Sequence, residues 1–267
     1  MKKFISVLVI LVVLSSCGSY QKALKSEDVA VKFDMATKMY EKGKYPKAIR
    51  LFEQIAPSYR GKPQAEKMFY MYSKSFYADK QYYSAGYQFE SFASSYPKSE
   101  KLEEASFLGA ISYSKLSPVY SLDQVDTYKA IDKLQAFINN FPNSQYLPEA
   151  NIVVKDLREK LEKKSFEIAK QYNTTGQYID YNSAIIALDN FIADFPGTPY
   201  KEQALYYKLD STYKLAINSV PGKMQERLLI AKTAYNVLIK FNPNTEFKAK
   251  ADDMLARIDT DLKQFSK

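Results

Sequence analysis

The chain of 267 residues has no histidine, no tryptophan and a single cysteine, Cys17. Without histidine it cannot build a Ser-His-Asp triad or a Cys/His zinc site, and one cysteine allows neither an internal disulfide nor a CxxC redox pair. The sequence also lacks a phosphate-binding glycine loop and a nucleophile elbow. Adjacent acids such as Glu103 and Glu104 point in different directions on a helix, so they form a poor catalytic pair. We therefore predict a protein that is not an enzyme and that holds no metal or dissociable cofactor.

Glycine and proline are scarce, with 8 and 11 residues, which leaves little room for a turn-rich β architecture. Apolar residues make up 46% and charged residues 25% of the chain, which is the composition of a folded protein. The formal net charge is +8, but the lysines are interspersed with Glu and Asp. This pattern predicts a solvated surface without a nucleic-acid partner, and the positive excess favours acidic partners or anionic membrane surfaces.

The first sixteen residues have the layout of an export signal, with two lysines before an apolar run at residues 4–14. The run closes on LSSCG at residues 14–18, which resembles the bacterial lipobox, and Cys17 stands where that motif requires a cysteine. We predict a lipoprotein signal peptide at 1–16, covalent diacylglycerol and fatty acyl (palmitate) groups on Cys17, and a short tether at 17–25. No aspartate or acidic run directly follows Cys17, which favours the outer membrane, facing the periplasm, as the location.

One turn is repeated four times: an aromatic or similar residue, a proline, any residue, then Ser or Thr. The copies are YPKS at 96–99, FPNS at 141–144, FPGT at 195–198 and NPNT at 242–245. Proline cannot continue a helix interior, and Ser or Thr is a good N-cap for the next helix. Twelve residues before each proline stands an alanine, and large residues follow it at positions four and seven, which places all three on one helix face. The alanines are Ala85, Ala130, Ala184 and Ala231. Four copies in one frame predict a repeat protein.

The two N-terminal repeats resemble the tetratricopeptide (TPR) consensus. Gly43-x-Tyr45-x2-Ala48-x3-Phe52 matches its centre, and the second repeat fits the same frame with Lys80 where the consensus prefers glycine. We predict an all-α fold, a tetratricopeptide-like solenoid of five helix pairs plus a C-terminal capping helix. The predicted domain covers 26–264, with repeats at about 26–60, 63–97, 99–142, 144–196 and 198–243 and the capping helix at 245–264.

A TPR stack offers a groove lined by the first helix of each pair. Counting back from Ala48 and Ala85, the candidates for groove residues are Phe33, Thr37, Tyr40, Tyr70, Lys74 and Tyr77. Their aromatic character suits an extended or hairpin peptide, although several are equally compatible with core positions. Arg227 and Arg257 are candidates for a partner interface, because a planar guanidinium binds carboxylates bidentately; both are equally compatible with plain surface positions.

A lipobox, a short tether and five TPR-like pairs joined by Y/F-P-x-S/T turns resemble the YfiO-type (BamD) lipoprotein family of the outer-membrane β-barrel assembly machinery. The resemblance implies a non-enzymatic scaffold anchored in outer-membrane lipid. Its C-terminal repeats would bind a POTRA domain of the BamA-like barrel subunit, and its N-terminal repeats would receive unfolded outer-membrane proteins.

Two alternatives remain open from the sequence. A TPR lipoprotein adaptor that recruits peptidoglycan or division enzymes is expected to add a coiled-coil or enzyme-docking segment. A SusD-type glycan-binding lipoprotein is usually much larger and favours tryptophan platforms for sugar stacking.

Overall fold

The computed structural model describes residues 18–175 and 178–265, and within these ranges the chain is helical and contains no strand. Helix α1 includes residues 18–25. It is followed by α2 (Val29–Glu41), α3 (Tyr45–Tyr59), α4 (Ala65–Ala78), α5 (Tyr82–Ser95), α6 (Leu102–Ser114), α7 (Val125–Asn140), α8 (Leu147–Thr174), α9 (Tyr178–Asp194), α10 (Lys201–Ile217), α11 (Pro221–Phe241) and α12 (Lys248–Leu262). A 3₁₀ turn at Lys263–Phe265 ends the described chain. The predicted signal peptide at 1–16 and Cys17 lie outside the described residues.

Consecutive helices joined by short turns pack as antiparallel pairs: α2 with α3, α4 with α5, α6 with α7, α8 with α9 and α10 with α11. Helix α12 packs against α10 and α11 at the end of the chain. The predicted fold class, five TPR-like helix pairs followed by a terminal helix, is confirmed. None of the helices within the described ranges is long and apolar enough to cross a membrane.

The repeated alanine lies in the contact between helices in every copy. Its exposed fraction is 0% in all five repeats, at Ala48, Ala85, Ala130, Ala184 and Ala231. The large residues four and seven positions later are also buried, apart from Tyr235, which is half-buried. A methyl side chain lets neighbouring helices approach closely, and the large side chains fill the space on either side. The spacing seen in the sequence is therefore the packing frame of the molecule.

The turns inside the first two pairs share one backbone conformation. Gly43 has φ 67° and Lys80 has φ 61°, both in the left-handed region. In each turn the next residue, Lys44 or Gln81, donates its N–H to the carbonyl five positions earlier, at 2.8 Å and 2.9 Å. This is the Schellman helix end, which favours glycine because other residues are strained in the left-handed region. The consensus glycine thus fits the left-handed conformation that this turn requires, and Lys80 adopts the same conformation at a cost in strain.

The hydroxyl of the repeated proline turn makes two kinds of hydrogen bond. In all four copies it accepts the backbone N–H two residues later. The prediction that this residue is the N-cap of the next helix is wrong, because the N-caps of α6, α10 and α12 are Lys101, Tyr200 and Phe247 and no side chain caps these helices. The hydroxyl instead stabilises a turn ahead of the helix. In three copies it also donates to a glutamate in the first turn of the preceding pair's first helix. These bonds join Ser99 to Glu66 (2.6 Å), Ser144 to Glu103 (2.6 Å) and Thr245 to Glu202. The turn therefore links neighbouring repeats and precedes each helix without capping it.

The chain divides into two compact units, one ending at Leu157 and the other beginning at Arg158, with the division inside α8. The first unit contains two clusters of buried apolar side chains, centred on residues such as Phe52 and Phe89 and on residues such as Leu134. The second unit contains three clusters of its own, which include Phe166, Leu209 and Leu228. Each unit thus has its own core.

The tether predicted at 17–25 differs from the structure over residues 18–25, which form α1. Tyr20 is 5% exposed and belongs to the first core cluster, and Ala23 is 1% exposed. The hydroxyl of Tyr20 donates to the carbonyl of Lys47 at 3.4 Å, and the ammonium of Lys47 lies 5.0 Å from the centre of the ring. An extended tether would leave Tyr20 in water, whereas the helix buries it against α3.

Candidate peptide-binding face

Glu104, in the first turn of α6, joins several side chains of the first unit. Lys74 Nζ lies 2.9 Å from Glu104 Oε1, and Lys101 Nζ lies 3.8 Å from Oε2. The hydroxyl of Tyr70 also donates to this carboxylate. Burial acts to raise the pKa of Glu104, but hydrogen bonds from Tyr70 and Lys74 and the charge of Lys101 outweigh it, so the pKa is lowered. Glu104 is therefore held as an anion among tyrosines and lysines.

From the sequence, Glu104 is only one of two adjacent surface acids, and its role as a joining residue is not evident. A sequence signal for this cluster was present three residues before Glu104, directly after the proline turn. In all three later copies the residue two places after the Ser or Thr of the proline turn is aromatic and stacks on a ring of the preceding pair's first helix. Those pairs are Phe107–Tyr146 at 4.5 Å, Phe166–Tyr200 at 5.0 Å and Tyr206–Phe247 at 4.1 Å between ring centres. In the first copy this position is Lys101, whose ammonium lies 5.7 Å from the centre of Tyr70.

Three predicted groove tyrosines are half-buried on first helices of the first unit. Tyr70 contacts Glu104, and Tyr40 is close enough for that carboxylate to act on its hydroxyl. Burial is the main cause that raises the pKa of both phenols, and the charge of Glu104 adds to it. Tyr77 packs edge-on against Tyr82, with ring centres 5.9 Å apart. We call Tyr40, Tyr70, Lys74, Tyr77 and Glu104 the tyrosine face.

Two other predicted groove residues have different environments. Phe33 is 6% exposed and stacks on Tyr59 with ring centres 5.1 Å apart, so it is a core residue and its prediction as a groove residue is wrong. The physical reason is that α3 ends over the first turns of α2 and covers its ring. Thr37 is half-buried, and its Oγ1 is buried without a hydrogen-bond partner among the described residues. A buried hydroxyl without a partner is unfavourable by about 1–3 kcal/mol.

The tyrosine face combines aromatic rings with one exposed cation and one fixed anion. Tyrosine rings offer large contact areas at low conformational cost, and their hydroxyls provide polar contacts at the rim. The Lys74 side chain is 30% exposed, so its ammonium can bind a carboxylate in competition with Glu104. The arrangement suits an extended peptide with aromatic side chains and an acidic or terminal carboxylate group.

The two predicted interface arginines lie in the second unit and already have partners. Arg227 on α11 donates to Ser219 Oγ at 2.6 Å and borders a pocket of about 340 Å³ with Ile185, Leu215 and Lys223. Arg257 on α12 is 63% exposed and forms an ion pair with Asp261 at 3.0 Å. An exposed pair of this kind contributes little to stability, so Arg257 can exchange its partner at low cost.

Comparison with known proteins places the whole repeat region in one family. The model of the YfiO family, described as outer membrane lipoprotein, matches residues 26–180 and 177–265. The prokaryotic membrane lipoprotein lipid attachment site matches residues 1–17, which end at the predicted Cys17.

Two curated relatives carry names that state a role. A putative outer membrane protein assembly factor BamD from Aquifex aeolicus is 28% identical over 205 residues, which cover 74% of this chain and 64% of that protein. The outer membrane protein assembly factor BamD from Caulobacter vibrioides is 21% identical over 220 residues, which cover 80% of this chain and 71% of that protein.

Among solved structures, TPR-like repeats of a putative kinesin light chain from Podospora anserina are more distant. One structure, of a point variant of these repeats, has a TM-score of 0.33 at 14% identity and covers 84% of this chain and 99% of its own. A second structure of these repeats has a TM-score of 0.32 at 15% identity and covers 81% and 99%.

Proposed function

The chain belongs to the YfiO family of outer membrane lipoproteins, and from this we propose that it is an assembly factor for outer-membrane proteins. The observation that carries the proposal is the family match, which runs from residue 26 to residue 265 and so includes every helix pair. The lipid attachment site at residues 1–17 makes it a lipid-anchored protein of the outer membrane. We propose that it acts as a non-enzymatic scaffold facing the periplasm.

We propose that the tyrosine face receives unfolded outer-membrane protein clients. Such clients present extended segments with aromatic side chains and a free terminal carboxylate, which match the rings of Tyr40, Tyr70 and Tyr77 and the ammonium of Lys74. Thr37 is half-buried one turn before Tyr40 on the same helix, and it is proposed as a neighbour of the bound client. Thr37 and the tyrosine face are proposed as binding residues.

The client proposal is tested by replacing Tyr40 with Leu and Lys74 with Gln, singly and together. Neither change empties the core, because both side chains are only half-buried. Loss of an aromatic or charged anchor at the centre of an interface typically raises Kd by about tenfold or more. The measurement is fluorescence anisotropy of a labelled peptide that ends in an aromatic residue and a free carboxylate, titrated with the lipidated protein in detergent.

The matched control is Tyr87→Leu on α5, where the tyrosine is 62% exposed and borders a pocket that includes no residue of the tyrosine face. Equal affinities for the control and for Tyr40→Leu would contradict the assignment. Amidating the peptide's terminal carboxylate should weaken binding to the protein with Lys74 and should change little for Lys74→Gln.

We further propose that the second unit binds a POTRA domain of the BamA-like barrel subunit, with Arg227 and Arg257 at the interface. The support is that Arg257 is exposed and that Arg227 borders a pocket with apolar and charged walls. A C-terminal tag should recover a POTRA-containing barrel protein from detergent-solubilised outer membranes, and Arg257→Glu should reduce its recovery. Recovery of peptidoglycan enzymes instead would favour the adaptor alternative; neither it nor the SusD-type alternative has support from the comparisons.

A further inference from the structure

The turns of the first unit lie on two opposite edges, because its helices alternate in direction. The turns inside helix pairs, at residues 42–44, 79–81 and 115–124, share one edge, and the turns between pairs share the other. Contacts join neighbouring turns on the first edge. The ammonium of Lys129, at the start of α7, lies 4.3 Å from the centre of the Tyr113 ring at the end of α6. The same ring packs against Gly86, near the start of α5.

Helix α1, whose first residue Gly18 follows the lipid attachment site in the sequence, begins at this same edge. Tyr20 donates to the carbonyl of Lys47, which lies in the first turn of α3, directly after the turn at 42–44. Gly18 is two residues before Tyr20 and directly follows Cys17 in the chain. The described chain therefore begins at this edge. We call it the anchor-side edge.

The longest turn of the anchor-side edge is held by a buried side-chain amide. Gln124 is 4% exposed, and its amide nitrogen donates to the carbonyls of Val119 and Leu122, both at 2.9 Å. Its amide oxygen accepts from Thr127 at 2.7 Å, and the Thr127 hydroxyl lies 2.6 Å from that of Ser117. A polar group buried at the centre of a turn fixes the backbone around it. The turn therefore has a defined conformation that its own hydrogen bonds maintain.

This ordered turn directs apolar side chains into solvent. Val119, Leu122, Val125 and Tyr128 are 57–69% exposed, and Tyr83 on the neighbouring pair is 71% exposed. Exposed apolar side chains that cluster on an ordered turn mark an interaction surface. Tyrosine with aliphatic neighbours is the composition of the boundary between lipid and water, where the ring lies at the level of the headgroups.

The charges on the anchor-side edge suit an anionic surface. Its three turns contain Lys42, Lys44, Lys80 and Lys115 and only two acids, Asp79 and Asp123. All four lysines are exposed. Lysines close to an anionic bilayer add to its attraction for a lipid-anchored protein.

We propose that the anchor-side edge is a second membrane contact, in which Val119, Leu122 and Val125 enter the headgroup region of an anionic phospholipid bilayer and the four lysines bind its phosphates. Acyl chains alone leave a protein free to rotate about its anchor. A second contact more than one helix pair away from Gly18 fixes the orientation of the first unit relative to the bilayer. The tyrosine face is then held at a constant angle to the membrane.

The test uses the single cysteine of the chain. Lipidation consumes the thiol of Cys17, so Leu122→Cys introduces the only free thiol, to which a polarity-sensitive fluorophore is attached. The lipidated protein is reconstituted in bilayers of phosphatidylethanolamine and phosphatidylglycerol that contain lipids spin-labelled near the headgroup. We expect strong quenching and a blue-shifted emission, with both effects smaller in bilayers of phosphatidylcholine alone.

The matched control is Lys98→Cys, an exposed residue in a turn between pairs on the opposite edge of the same unit. Its label should be quenched several-fold less than the label at 122. Equal quenching at the two positions, or no quenching at 122, would overturn the proposal. Quenching at 122 that required added outer-membrane extract would also overturn it, since it would identify a protein as the partner.

Discussion

Lys80 is strained, because it occupies the backbone conformation that Gly43 occupies in the preceding repeat. A non-glycine residue in the left-handed region destabilises the folded state by about 1–2 kcal/mol. Glycine removes this strain, but it also gives the unfolded chain more freedom, which offsets about 0.4–1 kcal/mol of the gain. We expect Lys80→Gly to raise the free energy of unfolding by about 0.5–1 kcal/mol. Urea unfolding followed by circular dichroism measures the change, and Gly43→Ala should shift the midpoint in the opposite direction. A destabilised Lys80→Gly protein would show that the lysine side chain compensates for the strain.

Gly86 on α5 packs closely against the side chain of Tyr113 on α6. A Cβ atom added there would lie 2.9 Å from Cζ of Tyr113, whose hydroxyl is held by Glu90 at 2.9 Å. The ring must shift to accept the methyl group, so the added contact should lower the free energy of unfolding by about 1–3 kcal/mol. The higher helix propensity of alanine offsets up to about 1 kcal/mol of this loss, and we expect Gly86→Ala to be destabilising overall. The matched control is Gly197→Ala, where an added Cβ meets nothing within 4 Å. Similar midpoints for the two variants would contradict the tight contact.

At the scale of elements, the proline turn makes the stability of the second unit dependent on pH. Hydrogen bonds from Thr245 and then from Asn242 lower the pKa of Glu202 below its ordinary value of 4.5. A carboxyl whose pKa is depressed on folding stabilises the folded state above that ordinary value, and the contribution is lost as the pH falls through the folded-state pKa.

We therefore expect Thr245→Val to destabilise the protein at pH 7 by about 1 kcal/mol or less, since the carboxylate lies at the surface. The difference from the unsubstituted protein should shrink as the pH falls below 4.5 and Glu202 becomes protonated in both proteins. Unfolding midpoints across that range measure it. A difference that stays constant with pH would mean that Thr245 acts only through its turn hydrogen bond from the Phe247 N–H.

The elements themselves were predictable because their signals are local and repeated. The alanine frame and the proline turns repeat with fixed internal spacing, so sequence alone identifies the helix pairs. The turn at 115–124 is visible in the sequence only as extra length, because Gln124 acts through carbonyls and hydroxyls that come together after folding. The same holds for Glu104, whose hydrogen-bond donor Lys74 lies 30 residues away in the chain. Helix α1 could not be predicted because its burial depends on α3 rather than on its own pattern.

At the scale of the whole molecule, stability is distributed over two units with separate cores, although α8 continues through the division between them. In repeat proteins each repeat contacts its neighbours only, so a defect weakens nearby helices first. We expect Gly86→Ala to increase amide hydrogen exchange in α5 and α6 and to leave α10 and α11 unchanged.

The reciprocal variant is Asn173→Ala, which removes a buried amide that donates to Asp210 at 2.7 Å and to Ser211 at 2.9 Å. It should increase exchange in α10 and spare α5. If either variant raised exchange equally in both units, α8 would have to couple them into one cooperative structure, and a client bound at the tyrosine face would then also affect the second unit.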